Sequence, residues 1–142
     1  MEDHMSYEHR SVWAMLVIAV VGYGVYLSLI LSGLDGAPLH EADFVLPMLW
    51  TIGGAIVVSI VVHMFLMHPS KREKRDQRDL EINRFGEFIG HGVLVLGAVI
   101  ALVVALFELQ HFWIANVIYL AFVVSAVVAS IAKLVAYRSG MP

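Results

Sequence analysis

His63, Glu87 and His91 are the residues whose types and spacing could do chemistry, since each lies within or at the edge of a long apolar run. Glu87 and His91 stand at i,i+4 and so share one face of any helix containing both. His63 comes near the end of the preceding run, which would put it at a similar depth if the two runs are antiparallel helices. Two imidazoles at one depth on neighbouring helices can take both axial positions of a b-type haem. With Glu87 as a third ligand they can instead hold a divalent transition metal. They can also answer to protons, because histidine titrates near neutral pH. The ordinary expectation is simpler: packing histidines, hydrogen-bonded between helices, with no cofactor.

A second group of polar residues comprises Asp35, His40, Glu41 and Asp43, followed much later by Glu108 and His111. On a helix, Glu108-x-x-His111 would place two ligands on one face, a donor set suited to a divalent cation. The candidate metal ligands are therefore Glu87, His40, Glu108 and His111, although solvated loops commonly carry the same residue types. Lys133 matches Glu87 in expected depth. A structural Glu87–Lys133 ion pair is the leading expectation, with a lysine snorkelling to the headgroups as the alternative.

The elements that must hold these residues follow from composition. Of 142 residues, 60% are hydrophobic and 15% charged, and the mean hydropathy is +0.81. The apolar residues are bunched into blocks, and each block, at about 1.5 Å per residue, is long enough to cross the ~30 Å core of a bilayer. Only helices satisfy their own backbone within such continuous runs, because barrel strands alternate in polarity. We expect an all-α membrane protein, a single domain of four transmembrane helices over about 11–32, 44–67, 86–107 and 112–137. The first run is too long, and its acidic flank too poor in basic residues, for a cleaved signal peptide. There is no cysteine, which excludes disulfide frameworks, thiolate metal sites and dithiol redox chemistry.

Charge supplies the orientation. Under a four-span scheme all nine Lys and Arg residues fall on one side: Arg10, then Lys71, Arg72, Lys74, Arg75, Arg78 and Arg84, then Lys133 and Arg138. Basic residues concentrate in cytoplasmic loops, so both termini and the segment 68–85 are expected in the cytoplasm of a bacterium, with the spans in its inner membrane. Arg72/Asp76 and Arg75/Asp79 at i,i+4, with Arg78/Glu81 and Glu81/Arg84 at i,i+3, read as a charged helix continuous with the third span. Such a face is ordinarily solvated. The sharper reading is a contact surface for a cytoplasmic partner, carried by Arg75, Arg78 and Arg84. Interleaved acids cancel most of the positive field, so nucleic acid is not an expected partner.

Smaller signals complete the scheme. Trp13, Phe85, Phe88 and Tyr137 are expected at the inner boundary and Trp50 and Trp113 at the outer one. Asp43 is placed to cap the second helix, with Pro47 in its first turns. A chain reversal is required at Glu108 to His111, although the stretch FELQHFW contains neither Gly nor Pro. Gly86, Gly90 and Gly97 on the third helix, and Ala121, Ser125, Ala129, Ala132 and Ala136 on the fourth, form smooth strips. Such strips serve either packing inside the bundle or a homodimer seam.

The run Lys74, Arg75, Asp76, Gln77, Arg78, Asp79, Leu80, Glu81, Ile82, Asn83, Arg84, Phe85, Gly86 and Glu87, with Phe112 to Arg138, resembles a family of small four-helix inner-membrane proteins of actinobacterial type. The resemblance covers roughly the C-terminal half. It implies the four-helix topology and a bacterial membrane, and it brings no catalytic residues, the family having no assigned function. The expectation is a non-enzymatic accessory, sensory or interaction protein that meets a partner through its charged segment. The alternative is a haem- or metal-binding redox protein built on His63 and His91. A small dimeric transporter comes third, because the first helix lacks the embedded acid on which small four-helix drug/proton exchangers depend.

Overall fold

The structure, a computed structural model, describes residues 7–66 and 77–139. Four helices account for nearly all of them: α1 (Tyr7–Ser32), α2 (Val45–Leu66), α3 (Gln77–Leu106) and α4 (His111–Ser139). Each is long and apolar enough to cross a membrane, so the chain is a multi-pass membrane protein. Apart from the start of α3, at Gln77 rather than 86, the helix ends fall within a few residues of the expected ones. α3 runs without a break from Gln77 through the charged turns into the apolar run. The part of the charged segment before Gln77, with Lys71, Arg72, Lys74 and Arg75, lies outside the described residues.

The helices run up and down, with the start of α1, the end of α2, the start of α3 and the end of α4 at one end, called here the terminal end. Packing follows the order α2, α1, α4, α3: α1 packs on α2 and on α4, and α4 packs extensively on α3. α2 and α3 take opposite flanks and share no extended seam. This corrects the expectation that the second and third helices stand side by side. Most of the aliphatic surface of the spans faces outward. That suits a chain surrounded by lipid, where such surface has nothing to gain by turning inward.

The α3–α4 seam is built from the small residues. A Cβ on Gly90 would lie 2.9 Å from the Ala129 Cβ and 3.1 Å from the Ser125 carbonyl oxygen, closer than side chains come. Gly86 meets Ala129 and Lys133 in the same way, and Gly97 meets Ala121. Ser125 Oγ then donates to the Gly90 carbonyl oxygen at 2.7 Å. Both strips expected from the sequence thus face each other within one chain. α1 and α2 cross more loosely, with the Gly22 backbone against Ala55.

The two short connections close by different devices. Between α1 and α2, Asp35 (φ 44°) and Gly36 (φ 83°) turn the chain, and a 3-10 turn at Leu39–Glu41 follows. Ala42 and Phe44 then fold back on Tyr26, Ile30 and Tyr119. The first helical acceptor of α2 is the Phe44 carbonyl, which receives the Met48 N–H at 2.9 Å, so the cap comes one residue later than Asp43. Between α3 and α4, Glu108 takes a left-handed conformation, φ 54°. Its N–H donates to Ala105 O at 3.0 Å, and the Leu109 N–H donates to Val104 O at 3.3 Å. This is the Schellman pattern, which ends a helix through one left-handed residue, usually glycine. Here glutamate fills that position.

Candidate functional site

Polar side chains inside the spans gather at two levels. Toward the loop end, Tyr26 is completely enclosed, and its hydroxyl donates to Asn116 Oδ1 on α4. The Asn116 amide nitrogen donates in turn to Phe112 O at 2.8 Å. Tyr119 OH donates to Thr51 Oγ1 on α2 at 3.0 Å, and Thr51 passes its own hydrogen to Pro47 O at 2.9 Å. The rings of Tyr23, Tyr26 and Tyr119 pack on one another, with Tyr26 and Tyr119 centroids 4.8 Å apart. α1, α2 and α4 are thereby joined by the Asn116 amide and by the hydroxyls of Tyr26, Tyr119 and Thr51, each of which closes on an acceptor of this group. In a low-dielectric setting that closure matters, since a buried polar group without a partner is costly.

Toward the terminal end, His63 joins α2 to α1. Its Nδ1 lies 2.7 Å from Ser59 O, an atom that can only accept, so Nδ1 carries a hydrogen. In the neutral ring Nε2 is then the acceptor, and it faces Ser11 Oγ at 3.1 Å. Both ring nitrogens of His63 therefore have partners within the chain. His91 lies on α3, which packs on α4, and its side chain is exposed. The two histidines belong to opposite flanks, and the structure does not bring them together.

The ion pair between Lys133 and Glu87 forms, at 2.7 Å. Lys133 is 12% exposed and Glu87 65%, so the lysine stem is packed while the carboxylate stays open. One turn further toward the terminal end, Tyr137 joins three helices. Its hydroxyl donates to Asp79 Oδ1 at 2.8 Å, Arg78 donates to its carbonyl oxygen at 3.1 Å, and its ring stacks on His9 with centroids 4.8 Å apart. Arg78 thus serves the last turn of α4, where carbonyls carry negative partial charge. The expected intrahelical Arg78/Glu81 and Glu81/Arg84 pairs do not form, because α3 turns Arg78 toward α4. Glu81 and Arg84 remain exposed and unpaired among the described residues. Arg75 lies outside them.

The remaining metal candidates are dispersed. Among the described residues His40 comes within ion-pair distance of its neighbour Glu41 alone, at 4.0 Å. Glu108 and His111 do not share a helical face, because Glu108 is the left-handed residue of the reversal and His111 begins α4. Glu87 is at the opposite end. Among the described residues no three His, Asp or Glu side chains stand close enough to hold one metal ion. An open groove of about 420 Å³ separates α1, α2 and α4 beside Tyr23 and Tyr119, and apolar side chains form nearly all of its wall.

Comparison of the chain with family models, curated proteins and solved structures found no match.

Sequence reasoning missed the loop-end network and the Tyr137 junction. A signal for the first was present: Tyr26 and Tyr119 sit well inside their runs, away from the boundaries that aromatic anchors prefer, and Thr51 and Asn116 are polar residues among aliphatic neighbours. Tyr137, expected as a boundary anchor with its hydroxyl toward the headgroups, gives that hydroxyl to Asp79 instead.

Proposed function

We propose that this chain is a membrane accessory or interaction protein of a bacterial inner membrane. Both termini face the cytoplasm, and a partner is contacted through the charged segment 68–85. The supporting observation is the way α3 begins. Arg78 and Asp79 bind its first turn to Tyr137 of α4, while Glu81 and Arg84 on the outer side have no partner within the described chain. From Gln77 onward the charged stretch is therefore fastened to the bundle by one face and open on the other. A load on the open face would reach the spans through Tyr137. The orientation rests on the distribution of Lys and Arg, all of which fall at or beyond the terminal end in the four-span scheme.

The test leaves Arg78 in place, because its loss would also loosen α4. Arg75→Glu with Arg84→Glu should abolish recovery of a cytoplasmic protein crosslinked to the wild-type chain in living cells, with amount and orientation in the membrane unchanged. The same protein recovered at wild-type level from the double variant would rule the contact out.

A further inference from the structure

Met15, Ser59, Ile60, His63 and Met64 line one open recess of about 580 Å³ between α1 and α2, near the terminal end. It brings two thioethers and one imidazole together, and a thioether is a ligand type that His, Asp and Glu do not supply. His63 is already held as a metal ligand would be. Its Nδ1 hydrogen is committed to the Ser59 carbonyl oxygen at 2.7 Å, which fixes the ring and leaves the lone pair on Nε2. A metal-binding histidine is held in the same manner, by a carbonyl or carboxylate on the nitrogen away from the metal. The group now on Nε2, Ser11 Oγ at 3.1 Å, is a neutral hydroxyl whose hydrogen rotates to suit its surroundings.

The methionines stand where they can take the place of that hydroxyl. Ser11 and Met15 are one turn apart on the side of α1 that meets α2. Met64 follows His63 directly and is 70% exposed, so its side chain is not locked into packing. Three rotatable bonds give each sulfur a wide reach. The donor set is also selective. Thioethers are soft and uncharged, and they favour copper(I) over cations that prefer carboxylate, carbonyl or water. A divalent ion among neutral donors would keep both charges at the edge of the hydrocarbon, at a larger desolvation cost than a monovalent one.

We propose that His63 Nε2, Met15 Sδ and Met64 Sδ bind one soft monovalent cation, copper(I) in the cell, with Ser11 holding the nitrogen when no ion is bound. The recess lies on the α2 flank and the charged start of α3 on the opposite one. Binding here neither needs nor supplies the contact with a cytoplasmic partner.

Silver(I), which has the same charge and ligand preference and is stable in air, serves as the probe. The full-length protein in detergent should bind silver(I) in a calorimetric titration, and an equal concentration of zinc(II) should not displace it. Met15→Leu and Met64→Leu keep the side-chain volume and should each weaken binding at least about tenfold, a loss that disturbing the outer shell of a metal site already causes. Met48→Leu, packed near Tyr26 at the loop end, should bind as the wild type does. With isotope-labelled histidine, silver(I) should move the His63 Nε2 resonance. Wild-type affinity in both the Met15 and Met64 variants overturns the proposal, because the ion is then held by other histidines and methionines of the chain. An unmoved Nε2 resonance overturns it as well. So does equal weakening by Met48→Leu, which would mark a general loosening of the fold, or displacement by zinc(II), which would mark an unselective site.

Discussion

Lys133 reaches Glu87 by lying across Gly86. Its Cγ and Cε occupy the space a Cβ at Gly86 would need, and the Ala129 carbonyl oxygen closes the site at 2.9 Å. The ion pair and the glycine contact are therefore one feature: the stem can cross only because residue 86 has no side chain. Gly86→Ala should separate α3 from α4 and lower stability by about 1–3 kcal/mol, the usual cost of overpacking. Gly53→Ala, where a Cβ meets nothing within 4 Å, should be neutral or gain about 0.5–1 kcal/mol. Thermal unfolding in one detergent compares the two.

Tyr26 and Asn116 form an asymmetric pair. With Tyr26→Phe, the Asn116 amide still donates to Phe112 O, and the loss should be about 0.5–1.5 kcal/mol, the net value of one hydrogen bond. Asn116→Leu strands the hydroxyl of a fully enclosed tyrosine and should cost about 1–3 kcal/mol. The double variant should cost less than the sum of the singles, since removing both partners leaves no orphan. Equal losses in the two single variants would contradict this order.

Ser11 and His63 supply a polar tie between α1 and α2. Ser11→Ala and His63→Leu should each lower stability by about 0.6–1.7 kcal/mol, the scale of interhelical hydrogen bonds in membranes. A double-mutant cycle should show coupling. Strictly additive losses would mean that the contact contributes nothing of its own.

Cysteines introduced singly at Asp35 and Gln110, both exposed in the connections at the loop end, should react with an impermeant thiol reagent added outside intact cells. A cysteine at Gln77, in the first turn of α3, should react only after the membrane is opened. Reaction at Gln77 in intact cells would reverse the orientation drawn from the basic residues.

The site residues were only partly readable before the tertiary structure. Glu87 and Lys133 could be paired from depth alone, because each is a charge near the end of its run and a lone charge in hydrocarbon needs a counterion. His63 and His91 could not be placed by the same reasoning. Depth fixes position along the membrane normal, and nothing in either run says which helix stands beside which. Glu108 was legible only as a necessary reversal. Its left-handed conformation comes from the carbonyls at the end of α3 taking N–H groups from the turn, and no residue preference announced it.

The sequence by itself determined the number of spans, their ends and the concentration of basic charge at one end. These follow from run length, bilayer thickness and the cost of burying charge, all of which are properties of one segment at a time. The tertiary structure alone decided the order α2, α1, α4, α3, the packing of the α3 glycine strip against α4, and the outward position of His91. Lipid is as apolar as leucine, so hydrophobicity does not distinguish a helix face turned to a neighbour from one turned to the membrane. That choice depends on how closely two backbones can approach and on which hydroxyls, amides and charges can satisfy one another across the gap.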